Sequence, residues 1–252
     1  MHIDTNRIKF LDTFIDNLTS SEAKLCVDKL IKIPGYHYVV SPNTDIIVKM
    51  HNDSQLKDIC EKADLILTDG QLIVSLSKKY GEAIKERVCM TDFVWDVFDL
   101  AIERNYKVFL FGGKEDVLKK ATQRVRNKLP KLNIVDSYSP PFGFESDSFM
   151  LEEAINRIKQ SKADILIVFL GCPKQEKFIA DNKDKYQVPI SFTMGGGVDF
   201  LAGEVRRAPK WMQKIGLEWF FRFIQDPKRL FKRYFVDDIK IFSIAKKINE
   251  HK

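Results

Sequence analysis

The chain has 252 residues, with 44% apolar and 30% charged side chains and a formal net charge of +6. That composition excludes wholesale disorder, and the length suits one large α/β domain or a domain with an appendage. No apolar run approaches the ~20 residues that a bilayer-spanning helix needs, and Met1-His-Ile-Asp-Thr-Asn-Arg7 carries neither a cleavable signal nor a lipidation pattern, so a cytoplasmic location with peripheral membrane contact is expected.

From Tyr38 onward, short apolar runs alternate with amphipathic stretches, the pattern of an α/β fold whose largely parallel sheet has helices on both faces. A strand is predicted over 38–40, ending in the polar turn Ser41-Pro-Asn-Thr-Asp45, and a helix over 54–62. The next strand, 65–67, opens into Thr68-Asp-Gly70. A helix over 92–104 precedes a strand over 108–111 and the turn Gly112-Gly113. A helix from about 115 to 129 and a strand over 132–135 lead to a rigid loop, Pro140-Pro-Phe-Gly-Phe144. Beyond a helix over 149–160 lies the most apolar strand, 164–170, after which Gly171-Cys-Pro-Lys-Gln-Glu176 opens another helix. A final strand, 188–194, closes on Gly195-Gly-Gly197.

Composition changes near Gly203, which divides the chain into a core, 1–202, and an appendage, 203–252. The appendage holds 13 Lys/Arg against 6 Asp/Glu, whereas the core holds 28 against 29, so the whole charge imbalance is C-terminal. Cations alternate there with Trp, Phe and Tyr, which suits a surface meeting an anionic membrane or a lipid-linked diphosphate. The four cysteines are far apart and form no CxxC pair, and the histidines fall at 2, 37, 51 and 251. A disulfide framework, a zinc site and a central histidine base are therefore not expected, which leaves acid–base work to carboxylates.

Polar residues gather where the predicted strands end: Ser41 and Asn43, Asp69, Gly112 and Gly113, Lys174 to Glu176, and Gly195 to Asp199. In an open parallel sheet the crevice beyond the carboxyl ends of the strands is where ligands bind. Asp69 is the sharpest candidate, since it follows an apolar strand and precedes Gly70; an N-cap for a helix from Gln71 is the alternative reading. Gly171 and Pro173 start a helix whose N-terminus suits an anion, with Lys174 and Gln175 placed to address a diphosphate. Phe111-Gly-Gly113 lacks the third glycine of a dinucleotide fingerprint, and the chain has no P-loop and no Asp-x-Asp. No cofactor or metal is expected; a leaving diphosphate would be met by backbone N–H groups, lysines and arginines, among them Arg87, Arg206, Arg207, Arg222, Arg229 and Arg233.

Several motifs in one order, Asp69-Gly70, Glu86-Arg-Val88 with Asp92, Gly171-Cys-Pro-Lys-Gln-Glu176, Asp199-Phe-Leu-Ala-Gly-x-Val-x-Arg-Ala-Pro209, and Leu217-Glu-Trp219 through Arg233-Tyr234, resemble the WecG/TagA/CpsF family of bacterial glycosyltransferases. The resemblance implies a Rossmann-like core and an inverting transfer from a UDP-sugar to a polyprenyl-pyrophosphate-linked sugar, for a cell-surface polysaccharide or teichoic acid, on the inner face of the plasma membrane. It implies Asp69 as the general base, with Ser41, Asn43, Arg87 and Gln175 in the substrate pocket. Arg222, Arg229 and Lys232 are then the appendage groups that reach pyrophosphates, and Gly112, Gly113, Gly171, Pro173, Lys174, Glu176 and Asp199 contact UDP. Two departures from the family pattern, Gln71-Leu72 and Cys89-Met90 where glycine is usual, leave the donor open among N-acetylmannosamine, its uronic acid, glucuronic acid and glucose. The alternatives are a catalytically inactive UDP-sugar-binding member and, through the basic tail, a nucleic-acid binder, although no nucleic-acid motif is present and no such partner is expected. A homo-oligomer is compatible with these readings.

Overall fold

The computed structural model describes residues 5–80, 82–209, 211–212 and 216–250, the side chains of 229, 249 and 250 excepted. A hairpin of β1 (Arg7–Phe10) and β2 (Thr13–Asp16) precedes α1 (Ser20–Lys32) and β3 (His37–Val40). Then follow α2 (Thr44–Asn52), α3 (Ser54–Glu61), β4 (Leu65–Ile66), α4 (Gln71–Tyr80), α5 (Met90–Arg104), β5 (Lys107–Gly112), α6 (Glu115–Lys128) and β6 (Asn133–Tyr138). The core continues through α7 (Ser148–Ser161), β7 (Ile165–Phe169), α8 (Lys174–Tyr186), β8 (Ile190–Thr193) and α9 (Gly197–Ala202). The C-terminal part holds α10 (Glu218–Gln225), α11 (Pro227–Lys232), a π-helical turn (Arg233–Asp237) and α12 (Lys240–Glu250).

Six strands form one parallel sheet in the order β4-β3-β8-β7-β5-β6. Strand side chains point alternately to its two faces, and the apolar runs divide accordingly. Val108 and Leu110 join Ile165 and Ile167 in a cluster covered by α1, α5, α6 and α9. Phe109 and Phe111 join Leu166 and Val168 in a second cluster under α2, α3, α7 and α8. Phe111 stacks on Phe178 at 4.9 Å, and Phe144 meets both rings edge-on, which anchors the loop of the Pro-Pro segment in the core. The predicted α/β sheet with helices on both faces is thus the observed one.

The hairpin, ahead of the first predicted element, builds a third cluster. Ile8, Phe10 and Ile15 pack with Ile47 and Val48 of α2, Ile73 and Val74 of α4, and Ile241, Ile244 and Ala245 of α12. Buried Asp16 ties the hairpin to the sheet edge, accepting from Arg7 Nε at 2.8 Å and from the Ile66 backbone N–H at 2.6 Å. The last helix therefore docks on the opposite end of the sequence, so the basic C-terminal segment is fixed to the core at its far end.

Candidate active site

Two turns at the carboxyl edge build the site's floor. The chain leaves β3 through Ser41-Pro42, and Asn43 caps α2 by accepting from the Ile46 N–H at 3.1 Å. It leaves β4 through Thr68-Asp69, and the Asp69 N–H donates to the Pro42 carbonyl at 3.3 Å. That bond holds the two turns side by side. Gly70, at φ +153°, then bends the chain into α4 in a conformation that favours glycine.

Above this floor the C-terminal helices close a cavity of about 510 Å3. Asn43, Thr44, Asp69 and Arg87 line it from the core; Glu218, Arg222, Arg233, Tyr234 and Asp238 line it from the C-terminal segment. Leu72, Trp219, Phe235, Ile239 and Phe242 supply apolar wall, so three carboxylates and three guanidinium groups share one cavity with aromatic and aliphatic side chains. Such an arrangement can accept a proton at Asp69 and stabilise anionic charge nearby.

The charges are organised around Glu218. Arg87 Nη1 donates to its Oε2 at 2.8 Å, Arg207 Nη1 donates to its Oε1, and Arg222 Nη2 lies 3.6 Å from that Oε1. Burial alone would raise the Glu218 pKa, but Arg87, Arg222 and Arg207 hold it below the ordinary carboxylate value. Asp238 goes the other way: burial outweighs Arg233, 4.0 Å away, and its pKa is pushed up to about 6. Its Oδ1 is buried without a hydrogen-bond partner. The Cys89 thiol, packed against Arg207 at 3.9 Å, is pushed up to about 12 by burial first and the Asp69 charge second.

Of the residues expected from the sequence, Asn43, Asp69, Arg87 and Arg222 line this cavity together. Ser41 is buried at the end of β3 with its Oγ unpartnered, and Lys232 ends α11 exposed to solvent; neither is on the cavity wall. The Arg229 side chain lies outside the described residues. The others form a row further along the same edge, where Gly112 and Gly113 end β5, and Gly171 and Pro173 join β7 to α8. In the first turn of α8, Gln175 Oε1 accepts from the Gly195 N–H at 2.8 Å and its Nε2 donates to Glu176 at 2.9 Å, so its amide bridges the ends of β7 and β8. Glu176 is buried, its pKa raised chiefly by desolvation, and its Oε2 has no partner. Lys174 pairs with Glu145, and Asp199 occupies the first turn of α9.

Sequence reasoning quoted Thr44, Glu218 and Tyr234 only within a turn or a motif and gave neither them nor Asp238 a role at the site. The two acids sit in a stretch whose excess of cations reads as a solvated face, and nothing in their spacing signals burial. Of the two departures from the family pattern, Gln71-Leu72 borders the site, whereas Cys89 and Met90 are buried off its wall. Gln71 and Leu72 are on the cavity wall, and a Cβ on Gly216, at φ +79°, would come within 3.1 Å of Gln71 Cγ. The larger side chain at 71 is accommodated where the opposite strand of chain carries none.

The Glycosyl transferase WecG/TagA/CpsF family matches residues 8–251. An N-acetylglucosaminyldiphosphoundecaprenol N-acetyl-beta-D-mannosaminyltransferase of Bacillus subtilis (strain 168) is 30% identical over 187 residues, 74% of this chain and 71% of that protein. A protein of the same description from Bacillus spizizenii is 29% identical over 227 residues, 90% of this chain and 86% of its own length. With nearly the whole chain matched and its motifs gathered at one edge of the sheet, the protein belongs to the WecG/TagA/CpsF family of glycosyltransferases.

Proposed function

We propose that the protein transfers N-acetylmannosamine from a UDP-sugar, with inversion, to a polyprenyl-diphosphate-linked N-acetylglucosamine in the synthesis of a cell-surface polysaccharide or teichoic acid. The observation that carries this reading is the cavity itself, where Asp69 shares one enclosed space with Arg87, Arg222 and Arg233 and with an apolar wall. The relatives' printed names supply the acceptor and the sugar. In the step proposed, the acceptor hydroxyl oxygen attacks the anomeric carbon and the bond from that carbon to the diphosphate oxygen breaks. UDP leaves with the electron pair, and Asp69 takes the hydroxyl proton from the face opposite the leaving group. Guanidinium groups meet the departing charge without a metal ion.

Strand order supports a division of labour along the sheet edge. Asp69 follows the outermost strand on one side, Asn43 its neighbour, and the turns of β8, β7 and β5 continue the row. The nucleotide would lie over Gly171, Lys174, Gly112 and Gly113, near the N-terminus of α8, with its sugar pointing toward Asp69. Residues 203–252 would act as the appendage that meets the membrane's inner face. Trp219, Phe235 and Phe242 on the cavity wall, and Phe220, Ile224 and Phe231 of the same C-terminal segment, are exposed among lysines and arginines, and among the described residues no helix is long and apolar enough to cross a membrane.

The test is UDP release from a panel of UDP-sugars, with and without a short-chain polyprenyl-diphosphate N-acetylglucosamine, for the wild type and Asp69→Asn. Acceptor-dependent release from UDP-N-acetylmannosamine, lowered roughly 10²- to 10⁴-fold in the variant while UDP affinity is kept, is expected. Undiminished turnover in Asp69→Asn would remove the base assignment, and UDP binding without release from any donor would favour the inactive binder.

A further inference from the structure

We infer that Glu218 is a positioning residue that gathers Arg87, Arg207 and Arg222 into a single diphosphate-binding cluster. The inference rests on the glycosyl-transfer reading for its substrate but on separate observations for its geometry. The three arginines come from three places: the segment before α5, the Arg-Ala-Pro segment after α9, and the second turn of α10. Helical spacing places Arg222 beside Glu218, four residues on, but nothing in the local backbone brings Arg87 and Arg207 to it. What they share is one carboxylate, 9% exposed, which Arg87 reaches at 2.8 Å, Arg207 at closer range, and Arg222 at 3.6 Å.

The cluster is built to retain unspent positive charge. Asp92 also pairs with Arg207 and lies 4.0 Å from Arg87, so two carboxylates face three guanidinium groups. Each guanidinium has five N–H donors, far more than the carboxylates can accept. Arg222 Nε is buried without a partner, and the Arg222 guanidinium lies over the Phe200 ring at 4.7 Å, which fixes its plane. Like charges this close repel, and without the central anion they would separate or swing into solvent. Glu218 thus sets the distance between donors that a diphosphate, with several oxygens to satisfy, can use at once. Its place in the first turn of α10 adds the favourable end of a helix dipole for the carboxylate.

Both substrates of the proposed reaction carry a diphosphate, so the experiment separates them. Binding of UDP and of farnesyl diphosphate is measured by calorimetry on the full chain as wild type, Glu218→Gln and Glu218→Asp, with transfer kinetics and limited proteolysis in parallel. Glu218→Gln should weaken at least one diphosphate roughly ten- to a hundredfold and raise the matching KM, with kcat at saturation changed much less. Glu218→Asp keeps the charge and should recover part of the loss. The variant that weakens UDP assigns the cluster to the donor, and the one that weakens farnesyl diphosphate assigns it to the acceptor. Unchanged affinity for both ligands in Glu218→Gln overturns the inference, as does a variant that loosens the C-terminal segment to protease while binding normally. Should Glu218→Gln not fold, Glu218→Ala is read in its place, and unchanged affinity for both diphosphates in that variant overturns the inference equally. Glu218-dependent diphosphate binding in a wild type that transfers no sugar would sink the transfer reading and leave the cluster standing.

Discussion

Ile241→Ala asks whether the C-terminal helix belongs to the core or merely follows it. Ile241 is fully buried, facing the hairpin and the helices α2 and α4 in the third cluster. The substitution removes three carbon atoms, a transfer term of roughly 2.4 kcal/mol at about 0.8 kcal/mol per buried methylene. The void left among Ile8, Phe10 and Ile47 adds to that, so a total of about 3–4 kcal/mol is expected, within the range for such truncations. The loss should fall first on α12, whose amides would exchange roughly a hundred- to a thousandfold faster with deuterium at about 1.4 kcal/mol per tenfold. Hydrogen exchange read by mass spectrometry on peptides covering 240–248, with a urea titration alongside, measures both effects. Phe242→Ala, at a half-exposed position on the same helix, is the control and should cost under about 1 kcal/mol. If Ile241→Ala exchanges and unfolds like Phe242→Ala, the helix is not part of the core.

Two further outcomes are expected. Gly112, at φ +95°, would place a Cβ 2.9 Å from Leu170 and 3.1 Å from the Phe169 carbonyl, so Gly112→Ala should lose about 2–4 kcal/mol in urea, against about 1–2 kcal/mol for Gly171→Ala, where the φ is +76° but the space is open; equal losses would show that close approach is not what requires glycine at 112. Asp238, with its pKa pushed up to about 6 from 3.8, keeps its proton in the folded chain at pH values where the unfolded chain has lost it, so its contribution to stability falls as pH rises from about 4 to 6. The C-terminal segment should therefore resist protease better at pH 5 than at pH 7.5, and Asp238→Asn should remove that difference. A wild type equally resistant at both values refutes it.

The parts of the fold that could be read beforehand are those whose burial is written in one period. Ile165 to Phe169 is apolar on both faces because both faces are covered, and the glycines after β5 and β7 mark where the chain turns. The start of α2 reads as part of the turn Ser41-Pro-Asn-Thr-Asp45, and its remainder, 46–52, carries no predicted element. The reason is that α2 is buried on two sides, with Ile46 and Met50 in one cluster and Ile47 and Val48 in another. The hairpin is hidden for a different reason: Arg7 and Asp16 look like surface charges until they pair in the interior. At the site, Asp69 and Asn43 are legible from their places at strand ends, whereas Glu218 and Asp238 matter only through neighbours brought from distant segments.

The meeting of the first and last elements also bears on how the protein is made. Ile8, Phe10, Ile15, Ile47 and Ile73 are synthesised well before Lys240–Glu250, the helix that covers them. At about 5–20 residues per second, roughly ten to thirty seconds pass between completion of α4 and arrival of Ile241 at the ribosome. Throughout that interval an apolar surface near the N-terminus stands open while the rest of the sheet assembles around it. A nascent chain that has not reached α12 would leave that apolar surface uncovered, and a translation product stopped before Ile241 would keep it so.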